Sequence, residues 1–350
     1  MINLNEILKN ALDKNCSDIY LSVGANIFGR INSKLEIIDE KILNQDDTEF
    51  YAKEILGKDF SLLNNNGEAD KSFSISGLGR FRANVFKQRN SLAISIKIIS
   101  LDSSKFEDLL IPSKVFDFIC NLQQGLVLIT GTVGSGRSTT IASIVNQISR
   151  KFSKHIVTIE ESIEILYKHN NSIVNQREIG SDTESYLTGI EAAFKENPDI
   201  LIIDNIPNYD VMKMILRCCD AGMLVISSIY ANNVKNTIDT LLEMDSNNIY
   251  LRNNLSNIIR CIVNQKMILD KDMKKICLYE IMINTLSIAN CIRENKTKHI
   301  LPLMQNGVKL GMCTLDMSLI EAYKNYKISR NVLLENITNK ELAAKIILNY

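Results

Sequence analysis

The stretch 125-GLVLITGTVGSGRSTTIASIVNQI-148 decides how this chain is read. Leu126–Ile129 form a short continuous apolar run, the signature of a strand buried on both faces. Gly131-Thr132-Val133-Gly134-Ser135-Gly136-Arg137-Ser138-Thr139 follows, and from Ile141 the apolar residues return at helical spacing. The pattern is G-x-x-x-x-G-[K/R]-[ST], with a strand before it and a helix after it, the context a phosphate-binding loop requires. Glycines let backbone N–H groups turn inward as an anion nest, and the helix N-terminus adds positive potential. Ser138 is placed to offer its hydroxyl to a phosphate-bound Mg²⁺. Arg137 stands where the motif has lysine, and a planar guanidinium is larger and differently directed than an ammonium. A nucleotide with its Mg²⁺ is therefore the expected ligand.

Beyond the loop, 155-HIVTIE-160, 199-DILIID-204 and 223-MLVISS-228 are further continuous apolar runs that alternate with helical patterns. They predict a parallel sheet wrapped by helices. The first hundred residues differ in texture. Apolar residues at 4, 7, 8, 11 and 12 mark an amphipathic helix, a second helical stretch lies near 48–57, and 18-DIYLS-22, 72-SFSIS-76, 80-RFRANVF-86 and 92-LAISIKII-99 are short alternating or β-branched runs. An α+β domain with a mostly antiparallel sheet is expected there. The fold class is thus α/β, with an N-terminal α+β domain over 1–100, a linker over 101–116, a P-loop core over 117–284 and a helical region over 285–350.

Composition narrows the function. Forty Lys and Arg balance forty Asp and Glu over 350 residues, which argues against a nucleic-acid partner, since that rewards a basic excess. No apolar run approaches the ~18 residues of a membrane helix, and MINLNEILKN lacks the charged and apolar regions of a secretory signal. A cytoplasmic location is expected. The eight cysteines include no C-x-x-C spacing, so neither a zinc ribbon nor a redox dithiol is indicated. The vicinal pair Cys218–Cys219 reads as two small buried residues on a helix.

The runs 125–140, 155-HIVTIEESIE-164, 175-NQREIGSDT-183, 196-ENPDILIID-204 and 221-AGMLVISS-228 resemble the type IV pilus retraction ATPases, the PilT/PilU branch of the secretion-ATPase superfamily. The likeness extends to 17-SDIYLS-22, 79-GRFRANVFKQ-88, 280-EIMINT-285 and 311-GMCTLDMSL-319, so it covers nearly the whole chain. It implies ATP as the nucleotide, and a hexameric ring whose subunits carry a PAS-like N-terminal domain and a RecA-like core. It also implies a place at the pilus base, peripheral to the inner membrane, beside a membrane platform protein.

Site roles carry over unevenly. The acidic box T-I-E-D-P-I-E corresponds to 158-TIEESIE-164; Glu164 would be the base for the attacking water, with Glu161 beside it. Asp204 closes the Walker B strand and would hold Mg²⁺ through water, but the family's next glutamate is Asn205 here. Two family histidines are Met223 and Tyr230. The arginines that reach a neighbour's γ-phosphate correspond to Arg82 and Lys97. Departures gather at the chemistry while glycines and apolar strands persist. Three readings stay open: a ring subunit of impaired hydrolysis, in a homo-hexamer or a mixed ring with an intact paralogue; a working hexameric retraction motor; and an assembly or type II secretion ATPase. The third usually carries a longer N-terminus and a four-cysteine metal motif.

Overall fold

The computed structural model describes residues 3–31, 34–99, 112–245, 249–272 and 274–349. Two compact units are present: Met1–Asp102 with Glu164–Leu166, and Ser103–Ile163 with Tyr167–Tyr350.

In the first unit, helices α1 (Leu4–Asp13), α2 (Gln45–Leu56) and α3 (Leu62–Asn66) accompany strands β1 (Asp18–Ser22), β2 (Ile27–Ile31), β3 (Lys34–Asp39), β4 (Glu68–Ile75), β5 (Gly79–Gln88) and β6 (Ser91–Ile99). The sheet order is β3-β2-β1-β6-β5-β4, with every neighbouring pair antiparallel. Period-two burial explains the alternating sequence: Phe81, Ala83 and Val85 of β5 are buried, while Arg80, Arg82 and Asn84 lie on the other face. Asn44 and Asp47 form a reciprocal capping box that starts α2, and Lys41 pairs with Asp47 at 2.7 Å.

The second unit holds α4 (Ser113–Cys120), β7 (Gly125–Gly131), α5 (Arg137–Lys151), β8 (His155–Glu160), β9 (Ile173–Glu178), α6 (Tyr186–Glu196), β10 (Ile200–Ile203), α7 (Tyr209–Asp220), β11 (Leu224–Tyr230), α8 (Val234–Glu243), α9 (Ile249–Ile258), β12 (Ile259–Leu269) and β13 (Lys275–Ile283). Then come α10 (Leu286–Arg293), α11 (Ile300–Asn306), α12 (Leu315–Lys324), α13 (Arg330–Asn336) and α14 (Lys340–Asn349). Its sheet order is β13-β12-β7-β11-β10-β8-β9, parallel throughout except for the antiparallel β12–β13 pair. All seven residues of β7 and all four of β10 are buried, as continuous apolar runs require.

The expected linker falls largely outside the described residues, over 101–111. From Ser113 the chain is already in α4, because Val115 and Ile119 pack into the core beneath β7. The helices after 285 fall within the second unit. Cys218 and Cys219 are buried on α7 with free thiols.

Ile226 sits at the middle of β11, fully buried. Ile226→Ala should lower stability by about 2–5 kcal/mol, from lost transfer energy plus a cavity. Urea unfolding would measure it, and a loss below about 1 kcal/mol would contradict the packing described.

Candidate functional site

The phosphate-type loop is shaped by close packing at its base. β7 ends at Gly131 (φ 150°), where a Cβ would sit 2.3 Å from Ser135 Oγ and 2.5 Å from the Gln265 carbonyl oxygen. Gly136 (φ 87°) caps α5 in the left-handed region, with no side chain bonding the helix's first N–H groups. Those donors have no acceptor within the helix and face the loop. The Ser135 hydroxyl is buried without a hydrogen-bond partner. A cradle of free N–H groups with an orphaned buried hydroxyl suits a phosphate anion. Strand β12 braces it from behind: Gln265 Nε2 donates to Thr140 Oγ1 at 2.8 Å, and Asn264 Nδ2 donates to Thr130 Oγ1 and the Ala231 carbonyl, both at 2.9 Å. Thr132, Val133, Gly134 and Ser138 are exposed along the loop, and Thr139 is half-buried.

Four parallel strands finish at this edge. β11 pairs with β7 so that Tyr230 lies opposite Gly131. Arg137 stacks on the Tyr230 ring, 3.7 Å from guanidinium carbon to ring centroid, and its Nη1 donates to Ser228 Oγ at 3.4 Å. Ser228 Oγ in turn donates to the Asp204 carbonyl at 2.6 Å. The departed P-loop position and the end of the Walker B strand are thereby joined through one serine.

Acidic groups collect on the far side of Asp204. Its N–H donates to the Ile159 carbonyl at 3.0 Å, which brings the ends of β10 and β8 together. Glu160, half-buried at the end of β8, accepts from Thr158 Oγ1 at 2.6 Å and Gln176 Nε2 at 2.9 Å. Burial pushes its carboxyl up to about 7 against those two hydrogen bonds, with Asp204 and Glu178 adding repulsion. Burial also raises the Tyr186 phenol, helped by Asp204 and Glu161; its hydroxyl is buried without a hydrogen-bond partner. Glu161 is exposed, and Asn205 is half-buried next to Asp204.

Of the remaining expected residues, Arg82, Lys97 and Glu164 belong to the first unit and Met223 to the second. Arg82 and Lys97 are register partners on β5 and β6, so they share one face of the first sheet. Lys97 Nζ pairs with Glu164 at 3.2 Å, both side chains about half exposed. Glu164 thus belongs with the first unit, whereas the carboxylate beside Asp204 is Glu160. Glu178, buried, accepts from the Ile163 N–H at 3.0 Å and anchors the segment between these two glutamates. Met223 is buried at the start of β11, hydrogen-bonded through its carbonyl to the Gly125 N–H at 3.1 Å. At roughly 3.3 Å per residue, Met223 and Tyr230 occupy opposite edges of the sheet, and Met223 is a packing residue.

Sequence reasoning passed over Glu160, Ser228 and the contact between Arg137 and Tyr230. Glu160 is the first acid of the quoted box, so its position was visible. Its partner Gln176 comes from a strand that had not been foreseen.

Residues 93–309 match the family described as type II/IV secretion system protein, more than half of the chain. The chain belongs to that family. PilT of Pseudomonas aeruginosa, a type IV pilus retraction ATPase, is 30% identical over 324 residues, which is 91% of this chain and 93% of PilT. YggR of Escherichia coli is 28% identical over 324 residues, 91% of this chain and 97% of YggR. The crystal structure of the pilus retraction motor PilT with bound ADP matches with a TM-score of 0.89 at 33% identity, covering 97% of this chain and 98% of that one. The α/β fold and the family resemblance read from the sequence are those found.

The raised Glu160 carboxyl has a consequence for stability. The folded state holds this proton to about pH 7, the unfolded state only to about 4.5. The stabilising contribution is therefore full below the unfolded value and is lost as pH rises through 7. Glu160→Gln keeps an acceptor for Thr158 and Gln176 and removes the charge. With divalent cations chelated, its Tm relative to the parent protein should climb between pH 5 and about pH 7 and level off above that. A difference that stays constant over that range would contradict the raised carboxyl.

Proposed function

We propose that the chain is an ATP-binding ring subunit of a type IV pilus retraction machinery, impaired in hydrolysis, that joins or modulates the motor. The observation that carries nucleotide binding is the Gly131–Gly136 cradle around the orphaned Ser135 hydroxyl at the bare N-terminus of α5. The ADP bound by PilT, a relative with the same fold, supports the same ligand class.

Mg²⁺ fits the residues present in part. Ser138 and Asp204 would hold it, and when bound it would neutralise phosphate charge. Among the described residues no group of three or more His, Cys, Asp or Glu is placed to hold a metal ion. Asn205 supplies a neutral carbonyl where a glutamate would add an anion, and it cannot accept a proton. Arg137 is held against Tyr230 and Ser228 in a fixed direction, unlike a flexible lysine that reaches between the phosphates. Losing one such acid–base or electrostatic group typically lowers a rate by ~10²–10⁴. These two departures favour impaired hydrolysis over a working motor. Two carboxylates compete for the role of base: Glu164 by the family pattern, and Glu160 by its place beside Asp204.

Ring assembly fits the placing of Arg82 and Lys97 as register partners on one sheet face, where a neighbouring subunit's nucleotide would compete with Glu164 for Lys97. A homo-hexamer and a mixed ring with an intact paralogue both accommodate this. The expected setting is the cytoplasmic side of the inner membrane beside a platform protein. Among the described residues no helix is long and apolar enough to cross a membrane.

A fluorescent ADP analogue should bind measurably and lose its site in Gly136→Val, where the new side chain meets Met267 and a strained backbone. The double change Arg137→Lys with Asn205→Glu should raise ATP turnover at least about tenfold, and by more than either single change, because the two act on one phosphoryl group. Adding Glu164→Gln or Glu160→Gln to the double variant identifies the base by which one abolishes the gain. Brisk turnover by the natural sequence, with no rise in the double variant, would return the protein to the ordinary motors.

A further inference from the structure

Two of the departures that single this chain out within its motif pattern are in contact. Arg137 opens α5 and Tyr230 closes β11, far apart in sequence, yet the guanidinium lies 3.7 Å from the ring centroid. That is van der Waals distance for stacked planes and well inside the ~6 Å reach of a cation–π contact. Register explains the meeting, since Tyr230 pairs with Gly131, the residue at which the loop leaves the sheet.

We propose that Tyr230 is a positioning residue for Arg137: the ring holds the flat face of the guanidinium, leaving its edge N–H groups aimed for the phosphate of a nucleotide in the glycine loop. The proposal rests on the nucleotide reading of that loop and adds a residue to it. A guanidinium donates in its own plane and presents a weakly hydrated face, so stacking and anion binding use different parts of the group. One edge is already engaged in this way, with Nη1 donating to Ser228 Oγ at 3.4 Å. Ser228 is itself fixed, because it is buried and donates to the Asp204 carbonyl at 2.6 Å. The ring and the serine together determine the plane and the direction of the arginine. An ammonium can also lie over a ring but has no plane for the ring to set, so a lysine at this position would not be aimed in this way. The two departures thus act as one unit, keeping a positive charge at the loop by a different geometry.

Two measurements test this. The chain contains no tryptophan, so Tyr230→Trp places a single indole under the guanidinium. Its emission in the nucleotide-free protein should change when Arg137→Ala is added; identical spectra would overturn the stack. The second is a double-mutant cycle read with a fluorescent ADP analogue. Tyr230→Leu should weaken binding ~3–10-fold when Arg137 is present, as a half-exposed cation–π contact implies, and less than about twofold in an Arg137→Ala background. Tyr230→Phe keeps the face and should restore affinity. Additive effects, or tighter binding in Tyr230→Leu, would overturn the proposal, the latter by showing that the ring withholds the arginine from phosphate. Binding that Gly136→Val abolishes but that shows no coupling sinks the positioning role alone. Failure of the natural sequence to bind any nucleotide removes the reading of the loop and this inference with it.

Discussion

The close approach of Gly131 to the Gln265 carbonyl fixes where the buried sheet stops and the loop begins. No side chain fits there: a Cβ would lie 2.5 Å from that oxygen and 2.3 Å from the Ser135 hydroxyl. With the turn fixed, α5 starts at Arg137 and its N-terminus is aimed back over the strand edge. β12 and β11 flank β7, so the partners of the loop come from distant parts of the chain: Gln265 and Asn264 behind it, Tyr230 and Ser228 beside it. The parallel order of β7, β11, β10 and β8 then brings the acidic ends of the last two strands to the same edge, where ligands of such sheets gather.

Much of this was legible from residue types alone. The continuous apolar runs at 126–129 and 200–203 are fully buried strands, and the glycine spacing gave the loop its exact bounds because only particular backbone angles suit it. Strands β9, β12 and β13 were not foreseen. β9 reads Ile-Val-Asn-Gln-Arg-Glu and lies at a sheet edge, where pairing with β8 rather than burial holds it. β12 carries Asn264 and Gln265 in mid-strand, polar residues that look like loop but are buried because each has a specific partner behind the phosphate loop. In the first unit β2 and β3 escaped notice for a similar reason: β3 exposes Leu35 and Ile37 on an edge and shows no clean alternation.

The site was legible residue by residue but not as contacts. Arg137 and Tyr230 were each seen as departures, and nothing in their spacing says that they touch. Met223 and Tyr230 stood as two similar losses, yet β11 separates them by its full length, so one is packing and the other stands at the candidate site. Glu160 and Glu164 are four residues apart; the first turns toward Asp204 and the second pairs with Lys97. The intervening segment is held by Glu178, whose buried carboxylate binds the Ile163 N–H. Charge counting could not separate two glutamates of one short box.

The proposed combination of retained binding and impaired chemistry is tested most directly by a single-turnover experiment. Protein in excess is mixed with labelled ATP and Mg²⁺, quenched at intervals, and the bound nucleotide is separated into ATP and ADP. The account predicts that bound nucleotide remains ATP over minutes or longer, because the anion at Asn205 is missing and Arg137 replaces a mobile lysine. Conversion to ADP within seconds would contradict it.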